Sequence, residues 1–106
     1  MPTVKETFDQ MATKFQSSKA SGVNAVVQYD ITGDGGGTWH AVIKDSTCRV
    51  NEGPAANPTA TLTLSAPDWL GMVSGQLSGQ TLFMSGKLKP KGDMGLLMRL
   101  PSLFAM

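Results

Sequence analysis

The sequence has one cysteine, one histidine and one tyrosine. A single cysteine excludes an intramolecular disulfide and a cysteine-built zinc site, and a single histidine excludes a histidine cluster. No metal and no cofactor is expected. Charge is also scarce, at 16% of residues, against roughly 25% in an average chain. Nine basic against eight acidic residues leave a net +1, so no global field draws in nucleic acid and none is expected as a partner. No run approaches the ~18 apolar residues of a membrane span, and no signal-peptide hydrophobic region opens the chain. The 106 residues suffice for one compact domain, 1–106, and not for two cores. A soluble, cytoplasmic domain of a reducing compartment is the expectation. Methionine is in excess, with seven residues, five of them at or after Met72.

Periodicity divides the chain into elements. Val4, Phe8, Met11 and Phe15 form one stripe of a 3.6-residue helix, which the spacing predicts over the first twenty residues. Thr3 followed by Glu6 is a capping-box start. From Val23 the period becomes two: Val23, Ala25, Val27, Tyr29 and Ile31 alternate with Asn24, Val26, Gln28, Asp30 and Thr32, as in a half-buried strand. Gly33-Asp34-Gly35-Gly36-Gly37 predicts a hairpin loop, and Trp39, Ala41 and Ile43 form the next inward row. Asp45-Ser46 is a second turn before a short strand, Thr47 to Glu52. After a proline-containing loop, Ala60, Leu62 and Leu64 mark a fourth strand, expected to complete a four-stranded meander.

Ser65-Ala66-Pro67-Asp68 has the hydroxyl cap, early proline and first-turn acid of a helix start. That helix carries Trp69, Leu70, Met72 and Val73 and ends near Ser74-Gly75. A short helix over 76–83, a strand over 84–89 and a helix capped by Gly92-Asp93 complete the expected order. The fold class is α+β, with a mainly antiparallel sheet.

Conventional catalysis finds little support. Cys48 and His40 are the candidates, yet nucleophilic catalysis needs them within hydrogen-bond reach and a third group orienting the base. Both fall in strands of ordinary pattern, so His40 reads as a surface strand residue and Cys48 as filler. Glu52, Asp68 and Asp93 sit where turns or caps account for them. The glycine-rich loop joins two strands, whereas phosphate-cradling loops join a strand to a helix. No catalytic residue is expected.

The C-terminal quarter is unusual in distribution. Residues 81–106 carry +3 and the remainder −2. The same segment is dense in Leu, Met and Phe, and Met94, Leu96, Leu97, Met98 and Leu100 make its last helix apolar on nearly every side. Such a helix must be buried all round or face something apolar that is not protein, and methionine suits varied apolar partners. A packed core helix and a lipid pocket closed by the C-terminus both fit.

Ser85-Gly86-Lys87-Leu88-Lys89-Pro90-Lys91-Gly92-Asp93-Met94-Gly95-Leu96-Leu97-Met98-Arg99-Leu100 closely resembles the signature of the sterol carrier protein 2 family. The N-terminal amphipathic helix, the glycine-rich hairpin and the Asp68-Trp69 helix start followed by Ser74-Gly75 fall in that family's order. The resemblance implies a five-stranded sheet covered by helices, with a hydrophobic lipid tunnel between them. It implies non-catalytic binding and transfer of a sterol-like lipid, fatty acid, fatty acyl-CoA or phospholipid. On that basis the expected tunnel wall is Trp69, Leu70, Val73, Leu77, Leu82, Phe83, Leu88, Met94, Leu97, Met98, Leu103 and Phe104. Lys87, Lys89, Lys91 and Arg99 are the expected contacts to a lipid head group or an anionic membrane surface.

The chain ends Phe104-Ala105-Met106 where peroxisomal members carry a Ser-Lys-Leu-type tripeptide, so import by that signal is not expected. Pro101 and the short C-terminus leave less chain to cover the tunnel, and a stand-alone minimal domain of this kind points to a prokaryotic source. A monomer is expected. Two other functional classes fit the residues: an accessory module presenting a lipid-like substrate, such as a quinone precursor, to partner enzymes, and an enzyme acting through Cys48 and His40.

Overall fold

The computed structural model of the protein describes residues 3–11, 13, 15 and 22–96. The first helix, α1 (Val4–Met11), starts where the capping box predicts. The Thr3 hydroxyl accepts from the Glu6 amide at 3.2 Å, and the Glu6 carboxylate accepts from the Thr3 amide at 3.4 Å. The element is shorter than the apolar stripe suggested. Past Met11 the Thr13 hydroxyl donates back to the Gln10 carbonyl at 2.6 Å, a local bond that competes with helix continuation. Phe15 lies beyond the helix yet packs, partly buried, against the core.

Five strands follow the expected alternation: β1 (Ala25–Thr32), β2 (Gly37–Lys44), β3 (Thr47–Glu52), β4 (Ala60–Ser65) and β5 (Lys89–Gly92). The glycine loop makes the β1–β2 hairpin, with Gly33 and Gly35 at φ +87° and +80°. Asp45 and Ser46, both left-handed, make the two-residue β2–β3 turn.

The four-stranded meander does not form. Strand order is β3-β2-β1-β4-β5, and β4 lies parallel to β1, Val27 opposite Ala60 and Ile31 opposite Leu64. Alternation identifies a strand but not its neighbour. β4 alternates buried and half-buried residues throughout, as an internal strand does, whereas β3 is largely exposed and forms the edge.

The segment between β3 and β4 therefore crosses the sheet, and the polar face of β1 and β2 holds it there. The His40 Nδ1–H donates to the Gly53 carbonyl at 2.8 Å, and Gln28 Oε1 accepts from the Ala55 amide at 3.0 Å. Thr59 closes the crossing, its amide donating to the Val26 carbonyl at 2.7 Å. Substituting either Gln28 or His40 by alanine leaves a half-buried backbone group without its partner and is expected to cost about 1 kcal/mol. Urea titration measures this, and an unchanged midpoint in both variants would show that the crossing is held without these side chains.

On the opposite face Val27, Tyr29, Ile31, Trp39, Ala41, Ile43, Ala60, Leu62 and Leu64 are buried under the helices. Besides α1 these are α2 (Ala66–Val73) and α3 (Gly79–Met84). Ser65 caps α2, its hydroxyl accepting from the Asp68 amide at 3.3 Å. Ser78 caps α3 in the same way, accepting from the Thr81 amide at 3.0 Å. The last strand also sits later than its residues suggested. α3 runs through Met84, and the Lys87 and Leu88 amides both donate to the Leu82 carbonyl. This turn delays β5 to Lys89, so Lys89 and Lys91 share a strand face while Lys87 lies in the turn. Residues 94–96 begin a helical turn, with Asp93 Oδ1 accepting from the Leu96 amide at 3.1 Å.

Candidate lipid-binding site

The space between the sheet and its helices is built around four rings. Phe8 of α1 lies between the two indoles, stacked on Trp39 at 4.6 Å and on Trp69 at 4.7 Å. Tyr29 meets Phe8 at 5.2 Å and the edge of Trp69 at 5.4 Å. The Trp69 indole N–H donates to the Thr7 hydroxyl at 2.7 Å, and that hydroxyl donates to the Val4 carbonyl. One polar chain thus ties α2 to α1 and satisfies the buried indole donor, as buried tryptophans require. Among the described residues, apart from the polar tips of Tyr29 and Trp69, no polar or charged side chain is buried. Burial, and secondarily the nearby Cys48 thiol, push the Tyr29 phenol well above its ordinary value. The phenol therefore stays neutral and serves as an apolar wall with one polar tip.

The expected wall residues divide into three groups. Trp69, Leu82 and Leu88 are buried together in this core, and Leu70 and Val73 pack half-buried against it. Leu77, Phe83 and Met94 stand at the surface, 38%, 49% and 46% exposed. Leu97, Met98, Leu103 and Phe104 lie outside the described residues. Of the expected head-group contacts, Lys87, Lys89 and Lys91 are exposed, and Arg99 lies outside the described residues.

Phe8, which meets all three of the other rings, was absent from the expected wall, as were Tyr29 and Trp39. All three were legible as inward-facing, but their convergence depends on how α1 crosses the sheet. A cleft of about 330 Å³ opens beside α1, lined by Lys5, Phe8, Asp9, Trp39, Val50 and Glu52. It reaches the ring stack from the side of the β3 edge.

Cys48 and His40 do not form a pair. His40 sits opposite Asn51 and Cys48 opposite Ile43, which places them on opposite faces of the sheet because successive side chains alternate. The His40 ring holds the crossover, whereas Cys48 faces the core. Burial pushes the Cys48 thiol up to about 11, from an ordinary 9.0. A thiol so raised is little ionised at neutral pH, and the thiolate is the reactive form. Iodoacetamide at pH 8 is expected to modify native Cys48 at least tenfold more slowly than the urea-unfolded chain. Its contribution to stability is complete below pH 9 and is lost as pH rises through 11. Equal labelling rates, followed by mass spectrometry, would contradict this.

Comparison with solved structures identifies the architecture as that of sterol carrier protein domains. The solution structure of palmitated SCP2L2 from Aedes aegypti superposes with a TM-score of 0.79 at 23% identity, covering 95% of this chain and 93% of that one. The sec-alkylsulfatase Pisa1 from Pseudomonas sp. contains the same fold, with a TM-score of 0.83 and 19% identity over 97% of this chain and 16% of the sulfatase. The chain belongs to the SCP-2 sterol transfer family, whose sequence profile matches residues 5–105, and it is thus a member of a family of lipid-binding domains. Among curated relatives, Hydroxysteroid dehydrogenase-like protein 2 of Bos taurus is 34% identical over 101 residues, or 94% of this chain and 24% of that protein. The chain spans about a quarter of the length of the curated relatives it matches.

Proposed function

We propose that the whole chain, 1–106, acts as one cytoplasmic, monomeric carrier that binds a lipid between sheet and helices and transfers it without chemistry. Its cargo is a fatty acid, fatty acyl-CoA, phospholipid or sterol-like molecule. The observation that carries this reading is the ring-lined apolar interior, walled by Phe8, Tyr29, Trp39, Trp69, Leu82 and Leu88. Such a surface offers dispersion contacts to an aliphatic chain and no group that would react with it. The side chains of Lys87, Lys89, Lys91 and Arg99 supply the cations for a carboxylate or phosphate on the cargo.

A sixteen-carbon chain taken from water gains about 0.8 kcal/mol per methylene, about 13 kcal/mol gross. Association and ordering remove a large share, and opening the ring stack removes more. A lipid already in a bilayer gains almost nothing by this route, because its tail is already out of water. The arrangement therefore suits exchange between pools rather than sequestration.

Native mass spectrometry of the purified chain, with its organic extract analysed in parallel, tests the reading. A lipid-mass adduct reproduced in the extract, or saturable binding of a fluorescent fatty acid, is the expected result. A clean mass together with no saturable binding would overturn it.

The bovine relative favours a second reading. There the matching portion is a quarter of a protein named as dehydrogenase-like; in this second reading the domain presents a lipid-like substrate, such as a quinone precursor, to a catalytic partner. Presentation is distinguished by turnover of a bilayer-held substrate rising when the domain is supplied to that partner, with free-substrate turnover unchanged.

A further inference from the structure

The large hydrophobic side chains left exposed among the described residues all fall between 77 and 94. Leu77 is already accounted for, since it packs over Gly71, where even a β-carbon would lie 2.6 Å from its Cδ1. Phe83 and Met84 are different. They are consecutive, 49% and 77% exposed, at the end of a helix that buries only Leu82.

The chain then folds back onto this end. The Gly86 amide donates to the Phe83 carbonyl at 3.1 Å and the Lys87 amide to the Leu82 carbonyl at 2.9 Å. Lys87 is thereby held at the same helix end as the two apolar side chains, and Lys89 begins the edge strand two residues later. From Gln76 to Gly92 the sequence carries three lysines and no acid. Among the described residues the ion pair present is Lys5–Asp9, so none of the three lysines has a carboxylate partner there.

We propose that Phe83 and Met84, flanked by Lys87 and Lys89, form a docking element for an anionic bilayer surface. This deepens the carrier reading by naming the partner of its cationic stretch. Apolar side chains entering the headgroup boundary beside lysines that meet anionic lipid combine the two terms that drive interfacial binding. A second copy of the chain fits poorly. Two side chains cover little of the roughly 800 Å² per partner that a stable pair needs, and the apposed lysines of a two-fold pair would repel.

The test measures co-sedimentation of the full chain with cargo-free vesicles, phosphatidylcholine alone or mixed with phosphatidylglycerol. Preferential binding to the mixed vesicles, weakened by salt, is expected. Met84→Asp is expected to lower that partition about tenfold, leaving the melting temperature and vesicle-free fatty acid binding unchanged. The double variant Lys87→Glu/Lys89→Glu should lose at least about twenty-five-fold, from roughly fivefold for each cation removed. Unchanged partition in both variants overturns the proposal. A lowered melting temperature in Met84→Asp with unaltered partition would mean that the chain's own residues cover the tip, and a shift in sedimentation coefficient would mean a second copy does. A chain that binds fatty acid but no vesicle refutes the docking element alone, whereas one that binds vesicles but no fatty acid refutes the carrier reading.

Discussion

Replacing Phe8 with alanine is expected to lower stability by about 3 to 5 kcal/mol, a large part of the roughly 5 to 15 kcal/mol available to a small domain. Phe8 is 1% exposed and touches the rings of Trp39, Trp69 and Tyr29 at once. Its removal leaves two indoles facing each other across an empty slot. The slot cannot close easily, because Trp39 is fixed in the sheet and Trp69 is tied to α1 through Thr7. Urea denaturation gives the cost. A loss below about 1 kcal/mol would show that the site collapses freely and that the stack is not close-packed. The same variant bears on cargo. If an aliphatic chain occupies this layer, the wild-type protein must part the rings first, and the variant offers the space ready-made. Fluorescent fatty acid should then associate faster with Phe8→Ala than with the wild type, measured by stopped flow below the temperature at which the variant melts.

Gly92→Ala is expected to cost about 2 to 4 kcal/mol by a different route. Gly92 closes β5 at φ +93°, where an L side chain is strained. A β-carbon there would lie 2.5 Å from the Thr59 carbonyl oxygen and 2.9 Å from the Ala60 Cα. Both are backbone atoms at the start of β4, so neither can swing aside as a side-chain tip would. The Asp93 amide also donates to that Thr59 carbonyl, at 3.1 Å. Pushing the strands apart breaks this bond and loosens the edge that carries Lys89 and Lys91. Hydrogen exchange over 89–93 together with urea denaturation measures the effect. A variant within about 0.5 kcal/mol of wild type, with exchange unchanged, would mean the backbone relaxes without cost.

Part of the burial pattern was legible residue by residue. Trp69 and Leu82 were expected as apolar wall and are buried, and Lys87, Lys89 and Lys91 were expected outward and are exposed. Phe83 and Met94 were expected beside Trp69, since an apolar side chain in a rich segment normally points inward, yet both are at the surface. The helix that carries Phe83 has six residues, too short to establish a periodicity, so its buried side could not be assigned. Phe8 was recognised as part of an inward stripe, but nothing local announced that two tryptophans thirty-one and sixty-one residues away would stack on it.

Local chemistry in the sequence by itself determined where the first helix starts, both β-hairpin turns, the caps of α2 and the alternation of four strands. These depend on contacts within a few residues, and the spacing of residue types records them directly. The signature from Ser85 to Leu100 likewise carried the family, because it requires only the order of residues. Tertiary structure alone decided that β4 lies parallel to β1, that His40 and Gln28 hold a crossover, and that Cys48 and His40 face opposite sides of the sheet. It also decided that Phe8 fills the interior and that Phe83 and Met84 stand exposed. Each of these outcomes depends on which distant segment satisfies a strand's free hydrogen bonds or covers its apolar face, and a strand's alternation is the same whichever neighbour it receives.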